Sequence, residues 1–310
     1  MRSRACSSVS DGVLILAGAT ASGKTEIALE LATTYGAEIV GADSRQIYRG
    51  MPIGTAAPTA EQMGLVPHHL VAFLDPTQRY SAARYASDAI AAIRDILRRG
   101  KRAIVVGGTG FYIRALLGGV DLAPQYDEVL RARLAREAQL HPADFLYEWL
   151  AKRAAPRARA IHPGDAYRVL RALEIALAQT PAPSLPEPAR TLRGEKLTSL
   201  LVFLDLPQAE IDRRVAVRTE RMLAAGLLDE AERIGEAAVA ANAVGYPQAL
   251  AHLRGWSTIG ELRILLERAT RRYARRQRAW FRSEADTFWC APETLHEQVR
   301  EKLGWSAKRV

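Results

Sequence analysis

The eight residues from Gly18 to Thr25 combine glycines, a lysine and a hydroxyl in a spacing that can wrap a phosphate group. A buried-strand pattern precedes them and a helical pattern follows. Glycines let backbone N–H groups converge on a phosphate, and the N-terminal end of the next helix adds positive potential. Lys24 would add a point charge, and the Thr25 hydroxyl would hold Mg²⁺. The predicted di- or triphosphate site comprises Gly18, Ala19, Thr20, Ala21, Ser22, Gly23, Lys24 and Thr25.

A carboxylate follows the second predicted strand. Asp43 comes directly after a strand pattern at residues 38–42, and the carboxyl ends of parallel strands face the ligand crevice. From the residues alone, Asp43 could ligate Mg²⁺, act as a general base or cap a turn, and the cap is the favoured interpretation. Its place near the phosphate loop keeps all three roles open.

A later strand ends without a carboxylate. The strand predicted at residues 103–106 runs into Gly107-Gly108-Thr109-Gly110, whereas in a nucleotide kinase or ATPase such a strand can end in an Mg²⁺-holding aspartate. This ending argues against ATP hydrolysis and favours a second close approach of backbone to ligand. A tight strand-to-helix turn is the alternative. A short strand is also predicted around residues 70–74.

Composition restricts the class of protein and its partners. The chain has 310 residues and a net charge of +9, which indicates one large or two modest domains and favours a polyanionic partner, although a merely soluble basic protein also fits. Two cysteines without metal or redox spacing fit a reducing, cytoplasmic location. No apolar run has the length of a membrane span, and residues 1–10 lack the apolar core of a secretory signal.

The order of patterns predicts an α/β fold with a parallel-sheet core of the P-loop NTPase type, flanked by helices. The core is expected at residues 11–125 and again at 186–310, with a helical insertion at residues 126–185 between them. A helix after the strand at residues 199–205 carries four arginines, of which Arg218 is one. Arginines there suit a lid over phosphates, and a solvated basic face is the comparable alternative.

The most basic segment is a predicted helix at residues 262–282. It contains eight arginines and one acid between residues 263 and 282, interleaved with Tyr273, Gln277 and Trp280. This density favours a nucleic-acid backbone over a solvated face. Because no signature of a double-helix-reading module is present, a structured RNA is the expected partner.

Several ordered motifs resemble the tRNA dimethylallyltransferase family, also called tRNA isopentenyltransferase. The resemblance extends from about Val13 to Arg282. Besides the phosphate loop, the matching blocks are Asp43–Tyr48, Met51–Ala56, Pro67–Leu70, Asp75-Pro76, Gly107–Tyr112, Ile161–Glu174, Gly245-Tyr246 and Arg276–Arg282. The phosphate loop alone is weakly specific, whereas the ordered set is highly specific.

The resemblance implies a reaction. A dimethylallyl group would move from dimethylallyl diphosphate to N6 of the adenosine 3′ of the tRNA anticodon, position 37, with release of diphosphate. The phosphate loop would then hold the diphosphate leaving group, with Mg²⁺ as cofactor at Thr25. The family pattern implies catalytic roles for Asp43 as general base, Arg218 on the diphosphate, and Thr109.

The resemblance also implies partners and contact residues. The helical insertion would grip the anticodon stem-loop of tRNA, the second substrate is dimethylallyl diphosphate, no membrane is involved, and the enzyme is expected to be a monomer. The implied tRNA-binding residues are Asp43, Ser44, Arg45, Gln46, Thr109, Arg131, Tyr167, Arg168, Val169, Leu170, Arg171, Arg276 and Gln277.

Some positions depart from the family pattern, and other functions compete. Pro247 stands where a polar residue is more common, and the insertion matches loosely, which affects the fine tRNA contacts. A small-molecule or nucleotide kinase could use the same loop with Asp43 as its Mg²⁺ ligand. A non-catalytic RNA-binding protein would leave Lys24 and Asp43 without a purpose. An adenylate isopentenyltransferase would act on free nucleotides and would not need the insertion or the basic helix.

Overall fold

A computed structural model describes residues 12–119, 128–142, 144–177, 190–240 and 243–307. The chain forms two compact units. The first consists of Met1–Val120 and Arg190–Val310, and the second is Asp121–Ala189.

The first unit is built on a six-stranded parallel sheet. Its strands are β1 (Val13–Gly18), β2 (Ala37–Gly41), β3 (His68–His69), β4 (Arg102–Gly107), β5 (Ser199–Leu204) and β6 (Phe288–Cys290), in the order β3-β2-β4-β1-β5-β6. Its helices are α1 (Lys24–Tyr35), α2 (Pro52–Thr55), α3 (Ala60–Leu65), α4 (Ala82–Arg98) and α5 (Gly110–Leu117). After the second unit, α10 (Gln208–Ala224), α11 (Leu227–Ile234), α12 (Glu236–Ala240), α13 (Tyr246–Leu253), α14 (Ile259–Arg282) and α15 (Leu295–Leu303) follow. The predicted α/β fold with a flanked parallel sheet is confirmed.

The register of the central strands brings the phosphate loop and the other strand ends together. β1 is buried at all six positions and lies between β4 and β5. Ala17 pairs with Gly107, and Gly41 pairs with Val106. The last residues of β1, β2 and β4 therefore lie at one edge, where parallel α/β sheets bind ligands. A Cβ on Gly107 would lie 2.1 Å from the Ala42 carbonyl oxygen, so only glycine allows this approach.

The strand predicted around residues 70–74 is wrong. The strand next to β2 is His68–His69, and the chain then turns away. Leu70 and Ala72 adopt positive φ angles of 58° and 49°, which extended strands do not contain. The turn brings Leu74 into an isolated parallel bridge with Tyr48.

The second unit is helical. It contains α6 (Glu128–Leu140), α7 (Phe145–Arg153), α8 (Ala155–Arg159) and α9 (Ala166–Leu177). Apolar side chains of α6, α7 and α9 form its core, among them Leu134, Leu150 and Leu173. In the part of the chain that the structure describes, no helix is both long and apolar enough to cross a bilayer.

Candidate active site

The phosphate loop has a constrained backbone. β1 ends at Gly18 and α1 begins at Lys24. Between them, Ala21 has a φ of 65° and Gly23 a φ of 85°. A left-handed alanine costs free energy and is kept mainly where a functional geometry requires it. The loop closes with a hydrogen bond from the Ser22 N–H to the Ala19 carbonyl at 3.1 Å.

Lys24 projects into this loop, and its pKa is lowered there. Its Nζ donates to the Ala19 carbonyl at 3.4 Å. Burial lowers the pKa of Lys24 to about 8, while the nearby Asp43 carboxylate opposes that shift and Arg218 adds to it. A bound anion would favour the protonated form of this lysine and raise its pKa again.

Asp43 caps a turn and also lines the pocket beside Lys24. Its Oδ1 accepts a hydrogen bond from the Arg45 N–H at 2.9 Å, which is the turn-capping contact that the sequence favoured. The residue nevertheless faces the same cavity as Lys24 and Arg218. Capping therefore fixes the carboxylate in place and does not remove it from the site.

Hydrogen bonds between Thr109 and Ser44 connect the ends of the neighbouring strands β4 and β2. The Thr109 Oγ1 accepts from the Ser44 N–H at 2.9 Å and donates to the Ser44 Oγ at 3.2 Å. The Thr109 N–H donates to the Ala42 carbonyl at 3.2 Å. Thr109 thereby orders the turn that carries Asp43.

Two arginines of α10 reach the phosphate loop in different ways. Arg218 lines the pocket, and among the described residues it has no ion-pair or hydrogen-bond partner. Burial lowers the pKa of Arg218, and the charges of Asp43 and Glu26 oppose the shift. Arg214 instead donates to the Ser22 carbonyl at 3.1 Å and pairs with Glu210. Arg218 is thus a cation that a bound anion would satisfy, and Arg214 supports the loop.

The helix α14 forms one wall of the pocket and is bonded to the phosphate loop. Tyr273 and Arg276 line the cavity. Gln277, predicted to contact tRNA, is only 5% exposed. Its Oε1 accepts from the Thr20 N–H at 2.8 Å, and its Nε2 donates to the Gly108 carbonyl at 3.0 Å. Gln277 therefore links the loop to the end of β4, which its sequence context between arginines did not indicate.

Another part of the pocket wall is apolar. Met222, Leu227 and Leu266 line it, together with Ala243 and Val244. None of these residues was predicted from the sequence to line a pocket, because an apolar residue at helical spacing looks the same whether it fills a core or faces a cavity. Met222, Leu227 and Leu266 pack in one cluster and form the apolar end of the pocket. Lys24 and Arg218, whose charges both interact with Asp43, form its cationic end.

A magnesium ion fits the loop on chemical grounds. In the described ranges, no group of three or more histidine, cysteine or acidic residues could hold a metal. Mg²⁺ commonly takes only one or two protein oxygens and completes its shell with substrate phosphates and waters. The Thr25 hydroxyl, in the first turn of α1, makes no hydrogen bond to the described residues, so it remains open to such an ion.

The residues of the second unit predicted to bind tRNA lie on or near α9. Arg171 and Arg131 pair with the buried Glu174 at 2.7 and 3.6 Å, and the Arg131 guanidinium lies 5.6 Å from the Tyr167 ring centroid. Tyr167 and Arg168 are exposed, whereas Leu170 is partly buried against the helical core and Val169 lies inside it. The side chain of Val169 is thus turned to the interior of the unit.

Within the first unit, Ser44, Arg45 and Gln46 lie beside Asp43, and Arg45 and Gln46 line the pocket.

Comparison with known proteins identifies the family. The family described as IPP transferase matches residues 46–284, and the one described as isopentenyl transferase matches residues 11–68. A tRNA dimethylallyltransferase of Anaeromyxobacter dehalogenans (strain 2CP-C) is 45% identical over 298 residues, covering 94% of this chain and 99% of the relative. A tRNA dimethylallyltransferase of Geobacter sulfurreducens is 39% identical over 282 residues, covering 89% and 91%.

Solved structures agree with this result. The full-length tRNA isopentenylpyrophosphate transferase of Bacillus halodurans superposes with a TM-score of 0.66 at 32% identity, over 95% of this chain and 97% of its own. A eukaryotic dimethylallyltransferase, described as acting on tRNA, gives a TM-score of 0.72 at 25% identity, over 93% and 75%. The chain therefore belongs to the IPP transferase family, the family of the tRNA dimethylallyltransferases.

Proposed function

We propose that this enzyme transfers a dimethylallyl group from dimethylallyl diphosphate to N6 of adenosine 37, 3′ of the anticodon in tRNA, and releases diphosphate. Family membership supports the reaction class. The observation that carries the proposal is a single pocket lined by Lys24, Arg218 and Asp43 at one end and by apolar side chains at the other. A prenyl diphosphate has matching polarity, whereas an apolar wall offers nothing to a third phosphate.

The cationic end stabilises the leaving group. As the C1–O bond of the prenyl diphosphate breaks, negative charge grows on the bridging oxygen. The loop amides, Lys24 and the unpaired Arg218 are already in place to receive that charge, and preorganised donors of this kind lower the barrier. Mg²⁺ held at Thr25 would supply further positive charge to the diphosphate.

Asp43 serves as the general base. N6 of adenine forms a bond to C1 of the prenyl group while it loses a proton. Asp43 accepts that proton through the oxygen that does not cap the Arg45 N–H. Because an exocyclic amine is a weak nucleophile, proton removal during bond formation speeds the transfer. Thr109 positions this carboxylate through Ser44.

The acceptor base must leave its stack to reach the pocket. Enzymes that modify a base extrude it into a fitted cavity. We assign Gln46 and Arg276 to contacts with the incoming nucleotide, because both line the pocket, and the exposed side chains of α9 to the anticodon stem. We also propose that the enzyme acts as a monomer and meets its tRNA substrate in the cytoplasm.

A transfer assay tests the proposal. Labelled dimethylallyl diphosphate and Mg²⁺ are offered with a tRNA carrying adenosine 37, with the same tRNA carrying another base there, and with AMP. Label is expected only on the first tRNA and is expected to be lost in Asp43→Asn. Label on AMP would indicate a free-nucleotide enzyme, and turnover of ATP without any prenyl transfer would favour a P-loop small-molecule or nucleotide kinase.

A further inference from the structure

The helix α10 carries a cationic and an apolar pocket residue one turn apart. Arg218 and Met222 are four residues apart, and both line the pocket. In an α-helix, residues at this spacing lie on the same face and are about 6 Å apart along the axis. A diphosphate held at Arg218 would therefore point the carbon chain attached to it along α10 towards Met222.

The apolar end of the pocket is backed by a packed core. Leu227 and Leu266, which also line the pocket, are 0% and 4% exposed and form one cluster with Leu262. Met222 is partly buried and packs against this cluster. Because packed interiors resist displacement, the wall behind Met222 cannot retreat to admit a longer chain.

We infer that Met222, backed by Leu227 and Leu266, limits the prenyl donor to five carbons. The inference rests on the proposed function. A five-carbon prenyl group spans about one helical turn, the distance from Arg218 to Met222. The second isoprene unit of a ten-carbon geranyl group would have to occupy the space of the Met222 side chain. Met222 is thus a specificity-determining residue for donor length.

The test compares donors on one RNA. The ratio of kcat/KM for dimethylallyl diphosphate to kcat/KM for geranyl diphosphate is measured with the same tRNA. The wild-type ratio is expected to exceed roughly 100, the upper range of what a pocket reaches by fit alone. Met222→Ala is expected to reduce the ratio at least tenfold, chiefly through a lower KM for geranyl diphosphate, with the KM for tRNA unchanged.

Leu223 provides the matched control. It neighbours Met222 on α10 and packs against the same cluster, but it does not line the pocket. Leu223→Ala should lower the melting temperature as Met222→Ala does while leaving the donor ratio unchanged. If Met222→Ala fails to fold, Met222→Phe is used instead; it should raise the KM for dimethylallyl diphosphate without changing the KM for tRNA.

The outcomes separate the two proposals. A wild-type enzyme that uses both donors equally, a ratio unaffected by Met222→Ala, a Leu223→Ala variant with the same shift, or an unchanged donor KM in Met222→Phe would overturn the length limit. Failure of the wild-type enzyme to transfer either group would instead overturn the proposed function.

Discussion

Individual side chains at the site combine a structural hydrogen bond with a second role. Asp43 caps its own turn with one oxygen and lines the pocket beside Lys24. The Gln277 side-chain amide uses its oxygen to accept from the Thr20 N–H and its nitrogen to donate to the Gly108 carbonyl. A sequence can identify the residue types, but it does not show how their hydrogen-bonding capacity is divided. That division decides which atoms remain for a substrate.

The lowered pKa of Lys24 predicts a pH dependence. With a pKa of about 8 in the free enzyme, Lys24 is charged below that pH and loses its proton as the pH rises through it. A neutral Lys24 attracts the diphosphate less strongly, so kcat/KM for dimethylallyl diphosphate should fall above pH 8, by up to about tenfold per pH unit. The profile is measured from pH 6.5 to 9.5 with saturating tRNA.

Lys24→Arg is the control for this profile. A guanidinium stays protonated throughout the range, so this variant should be slower overall but should lack the decline above pH 8. A wild-type profile that stays flat up to pH 9.5 would contradict the assignment. So would an identical decline in Lys24→Arg.

At the scale of elements, the short helix α2 is held by a buried carboxylate of α11. Glu230 is 3% exposed. Its Oε2 accepts from the Ile53 N–H at 2.9 Å, and its Oε1 accepts from the Gly54 N–H at 2.7 Å and the Tyr246 hydroxyl at 2.6 Å. The N-terminal N–H groups of a helix need such acceptors. Because Gly54 and Thr55 line the pocket, Glu230 supports the pocket wall.

Removal of this carboxylate should destabilise the fold. Glu230→Ala leaves two backbone N–H groups without an acceptor and leaves the Tyr246 hydroxyl only the Met51 carbonyl at 3.4 Å. The expected cost is roughly 3 kcal/mol in the free energy of unfolding. Denaturant unfolding measures the loss. Glu232→Ala, which changes an exposed residue of the same helix, should stay within about 0.5 kcal/mol of the wild type. Equal losses of unfolding free energy in the two variants would show that Glu230 does not hold α2 in this way.

The helix α14 divides its arginines into two groups. Arg263 pairs with Glu220, and Arg271 pairs with Glu267 and Asp212. Arg268 and Arg272 are exposed, and among the described residues they have no ion-pair, hydrogen-bond or ring partner. An arginine already paired with an acid neutralises an RNA phosphate less effectively than an unpaired one, so it displaces fewer of the counterions condensed on the RNA.

The two groups should therefore differ in their effect on tRNA binding. Arg268→Gln/Arg272→Gln should reduce the slope of log affinity against log salt by about 1.5, because each lost phosphate contact removes roughly 0.7 to 0.9. Arg263→Gln/Arg271→Gln removes the same formal charge from the same helix and should leave the slope nearly unchanged. Binding isotherms from 50 to 300 mM salt provide the comparison, and equal slopes in both double variants would refute the division.

For the whole molecule, the pattern of apolar residues was enough to predict the fold class. β1, β2 and β4 are short, buried runs, and the long helix α4 between β2 and β4 has a clear apolar stripe. The family could be predicted because its motifs are local and ordered. The apolar end of the pocket could not be predicted, because Met222, Leu227 and Leu266 come from three helices that only tertiary packing brings together. The turn after β3 was not predicted, because the positive φ at Leu70 is not indicated by the residue type, which is common in strands and helices.

The division into two units predicts that diphosphate binding and tRNA recognition can be separated. All pocket-lining residues belong to the first unit. The chain leaves that unit and returns to it at neighbouring points, since the Leu192 N–H donates to the Leu116 carbonyl at 2.8 Å. Replacement of residues 121–189 by a short Gly/Ser linker should therefore preserve the sheet and the affinity for inorganic diphosphate, measured by calorimetry.

The same deletion should abolish efficient transfer to tRNA. If the helical unit supplies the contacts to the anticodon stem, its removal should lower kcat/KM for tRNA by roughly 100-fold or more, because several phosphate contacts are lost together. The variant Lys24→Ala in the full chain is the opposite control, since it should weaken diphosphate binding and leave tRNA affinity intact. Undiminished transfer by the deletion variant would show that the first unit alone recognises tRNA. Loss of diphosphate binding by a folded deletion variant would show that the phosphate site depends on the helical unit.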